Sequence, residues 1–186
     1  LPTPNAIYHN VVAQPTEIQK SMVQELSERA AAVHTGRVDA SVDNMLKITS
    51  DGRKLGLDQR IINPNLPDEP QSKVNMCVDN IFKIWEDGQS DKLTQLVFCD
   101  LSTPKNVQTS RRAAKTAGGN LDSPEIHALE QLNDAENEKE FTIYDDIRDK
   151  LVSRGIPREE IAFIHEANTE VRKKELYAKV RSGQVR

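Results

Sequence analysis

The side chains best suited to chemistry fall in two stretches of the chain. Ser102, Thr103 and Lys105 follow an apolar run, Leu93 to Cys99, and combine two hydroxyls with an ammonium, a set that can hold phosphate oxygens. His165 and Glu166 close a second apolar run and could exchange a proton. No second anchored partner accompanies them, so bonds to loop backbone or to a neighbouring lobe account for the pair better. Arg172, Lys173 and Lys174 come next. A charged run on a helix is ordinarily its solvated face, but these three follow an expected strand edge along which a phosphate backbone could pass. The candidates for nucleic-acid contact are therefore Ser102, Thr103, Lys105, His165, Arg172 and Lys173, with no catalytic residue and no cofactor-binding residue expected.

Other patterns point to ordinary structure. No G-x-x-x-x-G-K-[ST] loop is present, so no phosphate cradle of that kind is expected. Gly118-Gly119 lies in a basic stretch and not between a strand and a helix, which fits a linker. Asn63-Pro64-Asn65-Leu66 has the first two residues of an amino-methyltransferase motif. It lacks the second proline and the aromatic ring that would stack on a base, so it reads as a turn. The four histidines are scattered and neither Cys77 nor Cys99 has a metal-spaced partner, so no metal is expected. Asp145 and Asp146 occupy the first turn of a helix, where the macrodipole favours carboxylates, and that explanation suffices.

The elements that must position these residues follow from periodicity. Val11 and Val12 suit a short strand between His9 and Ala13. Thr16 and Gln19 form a capping box ahead of Ile18, Met22, Leu26, Ala30 and Val33, a helical stripe that Gly36 can end. A shorter helix is expected from about Val42 to Ser50, before Gly52 and Gly56, and Pro64, Pro67 and Pro70 mark a loop. Ser72 caps the clearest helix, with Val74, Cys77, Val78, Ile81, Phe82 and Trp85 on one face and Gly88 near its end. Leu93 to Cys99 reads as a buried parallel strand. Residues 101–140 read as a flexible insertion, long and polar for a connection inside one domain, with one weak helix near Ser123-Pro124. Thr142 caps a helix bearing Ile143, Ile147 and Leu151; Ile161 to His165 reads as a second strand; Thr169 caps a helix to about Ser182, and Val185 begins a third apolar run.

The predicted fold class is thus α/β: an incomplete parallel sheet with flanking helices, preceded by a mainly helical N-terminal segment. Residues 1–90 form the leading strand and helical segment, and residues 91–186 the first part of the α/β core. The chain starts at Leu1 without a Met and stops at Arg186 as an apolar run begins, so an excised piece is expected.

With 186 residues, 37% of them hydrophobic and 4% aromatic, one core built on Ile, Leu, Val and Ala is expected. The net charge of -4 excludes a wholly basic surface, yet charge is segregated. Residues 101–120 carry four bases and no acid, residues 121–146 nine acids against one base, and residues 147–186 ten bases against six acids. No apolar run approaches bilayer length, and isolated cysteines fit a reduced, cytoplasmic setting.

The ordered pieces resemble the second RecA-like lobe of Swi/Snf-type superfamily-two helicases. Val11-Val12 through Gln19, Asn44 to Pro64, Ser72-Lys73 through Trp85, and the strand motif Gln95-Leu96-Val97-Phe98-Cys99-Asp100 match in kind and order. Phe141 to Asp146, Gly155 to His165 and Lys179 to Arg186 are most similar to the large helicase proteins of bacterial mobile elements, often fused to adenine-methylase modules. The likeness covers most of the chain outside residues 106–140. One departure is His165-Glu166, where many members have Asp-Gly. The resemblance implies a full-length parent that hydrolyses ATP with magnesium while bound to duplex DNA. The phosphate loop would lie in a missing first motor lobe and the arginine finger beyond Arg186, leaving this piece without cofactor or activity of its own. A rival reading is a non-catalytic α/β protein-interaction domain with an acidic insertion at residues 121–140.

Overall fold

Thr16, Ser72, Thr142 and Thr169 each open a helix in the structure, a computed structural model that describes residues 5–99, 101 and 141–186. Each of these side chains accepts a backbone N–H of the first turn, satisfying a donor that has no partner inside the helix. At Thr16 the capping box is complete, since Gln19 Oε1 in turn accepts the Thr16 N–H at 3.0 Å. Five α-helices result among the described residues: α1 (Glu17–His34), α2 (Met45–Leu57), α3 (Lys73–Asp87), α4 (Ile143–Ser153) and α5 (Glu170–Arg181). Single 3-10 turns occur at Gln59–Ile61, Arg158–Glu160 and Ile164–Glu166.

The packing has two parts. In the first, α1 lies against α2. The stripe Ile18, Met22, Leu26, Ala30 and Val33 is only half-buried, and α1 buries no residue fully. The pair is tied instead by polar bonds. Arg29 forks onto Asp43 at 2.7 and 2.9 Å and reaches Asp51 at 3.0 Å, and Gln19 Nε2 donates to the Leu55 carbonyl. In the second part, α3 packs on α4. Val78 and Ile81 meet Leu151 and Ile156 in a buried cluster, with Cys77, Phe82, Trp85, Ile147 and Ile161 around it. Gly155 ends α4 with φ of +103°, a conformation that suits a residue without Cβ, and the chain turns there into the cluster at Ile156.

The structure corrects the predicted fold class. Among the described residues there is no strand and no sheet, so the α/β parallel sheet is not formed and the architecture is helical. Val11-Val12 lies in an exposed non-helical lead to α1. Leu93 to Cys99 forms no ladder; a side-chain bond from Thr94 Oγ1 to the Val185 carbonyl, 3.5 Å, is its link to the chain end. Ile161 and Phe163 have extended dihedrals, but among the described residues the backbone bond from another segment beside them is Arg186 N–H to the Glu160 carbonyl, 2.9 Å. A strand exists through repeated pairing with a neighbour, and one isolated bond does not make a ladder. Beyond Phe163 the chain turns into the 3-10 turn that holds His165. The second helix also differs: α2 continues to Leu57 through Gly52 and Gly56, because Leu55 is buried and keeps the last turn in place.

Candidate functional site

Of the six candidate contact residues, Ser102, Thr103 and Lys105 lie outside the described residues, as does the acidic stretch 121–140. His165 is half-buried in its 3-10 turn. Its ring stacks on Phe163 with centroids 5.2 Å apart and planes 16° off parallel, and Tyr144 meets both rings edge-on. The Tyr144 hydroxyl donates to the Cys99 carbonyl, fixing the end of the 93–99 run. No hydrogen bond joins His165 to Glu166 among the described residues, so the imidazole belongs to an aromatic cluster and not to an acid/base pair.

Arg172 and Lys173 sit in the first turn of α5. Arg172 Nη1 donates to Asn168 Oδ1 at 3.2 Å, and Lys173 pairs with Glu170 at 3.1 Å, both on the exposed face. The hydrogen bonds of these two residues go to Asn168, Thr169 and Glu170 and not to the His165 cluster. Among the described residues, His165 is therefore not joined by hydrogen bond or ion pair to Arg172 or Lys173. Arg148, near Phe163, is already held by Asp145 at 2.6 Å and Asp149 at 2.8 Å.

The strongest polar arrangement is one that sequence reasoning passed over. Arg60, 7% exposed, leaves the turn after α2 and forks onto two carboxylates. Its Nε and Nη2 donate to Asp58 at 3.0 and 2.8 Å, and its Nη1 and Nη2 to Asp146 on α4 at 3.2 and 2.9 Å. Asp68 approaches Nη2 at 3.2 Å, Lys150 bridges Asp68 and Asp146 at 2.7 and 2.8 Å, and the Phe141 ring lies 4.8 Å from the guanidinium carbon. Burial works against the charge on Arg60, but the hydrogen bonds to Asp58 and Asp146 outweigh it and push its pKa up. At Asp68 burial alone would raise the pKa; hydrogen bonds from Lys150 and Asn75 outweigh it and hold the carboxyl below its ordinary range. Asp146 is thus a partner of two cations, and the macrodipole alone does not explain it.

This clamp is structural chemistry. Asp58, Asp68 and Asp146 each face a cation, and bidentate geometry fixes how the end of α2 sits on α4. Beside it an open cavity of about 300 Å³ is lined by Phe141, Asp145, Asp149 and Ser153 among others. No group of His, Cys, Asp and Glu able to hold a metal ion occurs among the described residues. The signal available in the sequence was Asp58-Gln59-Arg60, an acid and a base two apart in a loop, which local patterning does not connect to Asp146.

One apolar feature stands apart from the core. Within the 93–99 run Leu96 is 77% and Phe98 91% exposed, although the sequence places them in a buried strand. No helix among the described residues is long and apolar enough to cross a membrane. The chain matches no protein-family model, no curated protein and no solved structure.

Proposed function

We propose that this chain is a non-catalytic part of a DNA-dependent, ATP-driven helicase or translocase of the Swi/Snf type, working in the cytoplasm and silent as an ATPase by itself. Its partners are duplex DNA and the first motor lobe, which supplies the ATP and magnesium site. The reading rests on the order of the sequence motifs from Val11 through Arg186. The observation that carries it is the exposure of Leu96 and Phe98, because these residues lie inside the Gln95–Asp100 motif and leave apolar surface uncovered, as expected of a piece that packs on further protein. The exposed bases Arg172 and Lys174 on α5 offer a weak phosphate contact.

ATP hydrolysis, measured with and without duplex DNA on this chain and on the same chain joined to a complete first lobe, tests the proposal. DNA-stimulated turnover in the joined protein alone is the expected result, and a folded joined protein that stays silent overturns it. A second reading, a non-catalytic protein-interaction module, is favoured by one finding: the described residues form helices braced by the Arg60 clamp, without the sheet a motor lobe uses. Fluorescence anisotropy with labelled duplex DNA separates the two. Weak binding that falls with rising salt belongs to the motor reading; no binding at low salt belongs to the module.

A further inference from the structure

The run Leu93 to Cys99 is tied down at both ends and bare between them. At its start the Leu93 N–H donates to the Gly88 carbonyl at 3.3 Å, Thr94 Oγ1 to the Val185 carbonyl at 3.5 Å, and Gln95 Nε2 to the Ile81 carbonyl at 3.0 Å. At its end the Cys99 carbonyl accepts from the Tyr144 hydroxyl on α4. Between these ties the backbone groups of Leu96, Val97 and Phe98 have no hydrogen-bond partner among the described residues, and the run contains no helix, turn or bend. Leu96 and Phe98, two residues apart, are strongly exposed, whereas Gln95 and Cys99 are half-buried. In an extended chain residues two apart share a face. A straight stretch with unpaired backbone and an apolar outer face is a template for another extended chain.

We propose that the run Leu93–Cys99 pairs with the same run of a second copy of this chain, as a two-stranded antiparallel ladder centred on Leu96.

Charge selects both the occupant and the direction. In a chain with 29% charged residues, the seven from Leu93 to Cys99 carry none, so two copies of the run meet without opposing like charges. In the sequence Lys92 precedes the run and Asp100 follows it. Antiparallel pairing with Leu96 opposite Leu96 sets each Lys92 against the acid end of the other copy, whereas a parallel pair in register sets lysine against lysine. The apolar side chains also match themselves. On the outer face Leu96 meets Leu96, and each Phe98 faces Thr94 and lies diagonal to the other Leu96, within reach of an aromatic ring. The arrangement is two-fold and closes on itself. The uncovered surface of Leu93, Leu96, Val97 and Phe98 is on the order of 500 Å² per copy, so a pair that covers it withdraws about 1,000 Å² in all, the lower end of specific interfaces. The dimer is accordingly weak and reversible. It concerns the chain by itself and does not rest on the motor reading.

Sedimentation velocity of the full chain over a dilution series tests the pairing, and a reversible monomer–dimer equilibrium is the expected result. Leu96→Lys and Phe98→Lys should each weaken the dimer at least about tenfold, with circular dichroism unchanged because both side chains are exposed. Leu46→Lys, at an 83% exposed position on α2, should leave the equilibrium as it is. A second measurement locates the axis. With Cys77 and Cys99 replaced by Ser, Leu96→Cys should form a covalent dimer under mild oxidation at least about tenfold faster than Leu46→Cys in the same background, since the axis sets residue 96 against itself. A monomer at every concentration, a dimer that Leu96→Lys and Phe98→Lys leave intact, open-ended aggregates in place of a dimer, or equal cross-linking at the two positions would each overturn the proposal.

Discussion

The two helical pairs of this protein are held by different means. Between α3 and α4 the contact is apolar: Val78, Ile81, Leu151 and Ile156 are withdrawn from water, and non-directional burial supplies the energy. Between α1 and α2 the contact is half-wet, α1 has no fully buried residue, and Arg29 with Asp43 and Asp51 gives it direction. Ion pairs near solvent are worth little singly, whereas a packed apolar cluster is worth several kcal/mol. The comparison teaches that α3–α4 is the stability centre and that α1–α2 hangs on it through the clamp at Arg60.

The largest effect should come from Leu151→Ala, which removes a buried side chain from the cluster and should cost about 3 kcal/mol, read from urea unfolding. A loss as small as that of an exposed substitution would break the comparison. Next is Arg60→Met, which leaves Asp58 and Asp146 without their shared cation and should cost about 2–3 kcal/mol. In hydrogen exchange its effect should spread to α2 and α4 together, which sharpens the clamp's role. Arg29→Ala should cost no more than about 1 kcal/mol and raise exchange in α1 and α2 alone.

The smallest effect concerns pH. Asp68 is held below the ordinary carboxylate value of 3.8, so its contribution is present above that value and is lost as pH falls through the lower folded one. Stability of the unaltered chain should therefore drop more steeply than that of Asp68→Asn as pH falls below 3.8, as compared urea midpoints would show.

Much of the helical framework was legible in the sequence, and the reason is locality. Thr16 with Gln19, Ser72, Thr142 and Thr169 act within one turn of themselves, and the stripe from Val74 to Trp85 needs only its own helix to be seen. Gly183, with φ of +70° beyond the last turn of α5, belongs to the same class of local signal. The sheet is where the reading failed. An apolar run such as Leu93 to Cys99 suits a strand, but pairing is a property of two segments, and the second is not found among the described residues. The candidate site fared similarly: His165 was noticed for its acid neighbour, whereas its contacts are the rings of Phe163, two residues away, and Tyr144, twenty-one residues earlier. Arg60 was missed for the same reason, since its partner on α4 lies 86 residues further on.

That span has a consequence for how the gene can vary. The free energy of closing a loop grows only with the logarithm of its length, so doubling the chain between Arg60 and Asp146 would weaken the clamp by only about 0.6 kcal/mol. By that measure the length of the intervening chain matters little so long as α3, Asp68 and the capped first turn of α4 are left intact, whereas a single exchange at either end of the span is costly.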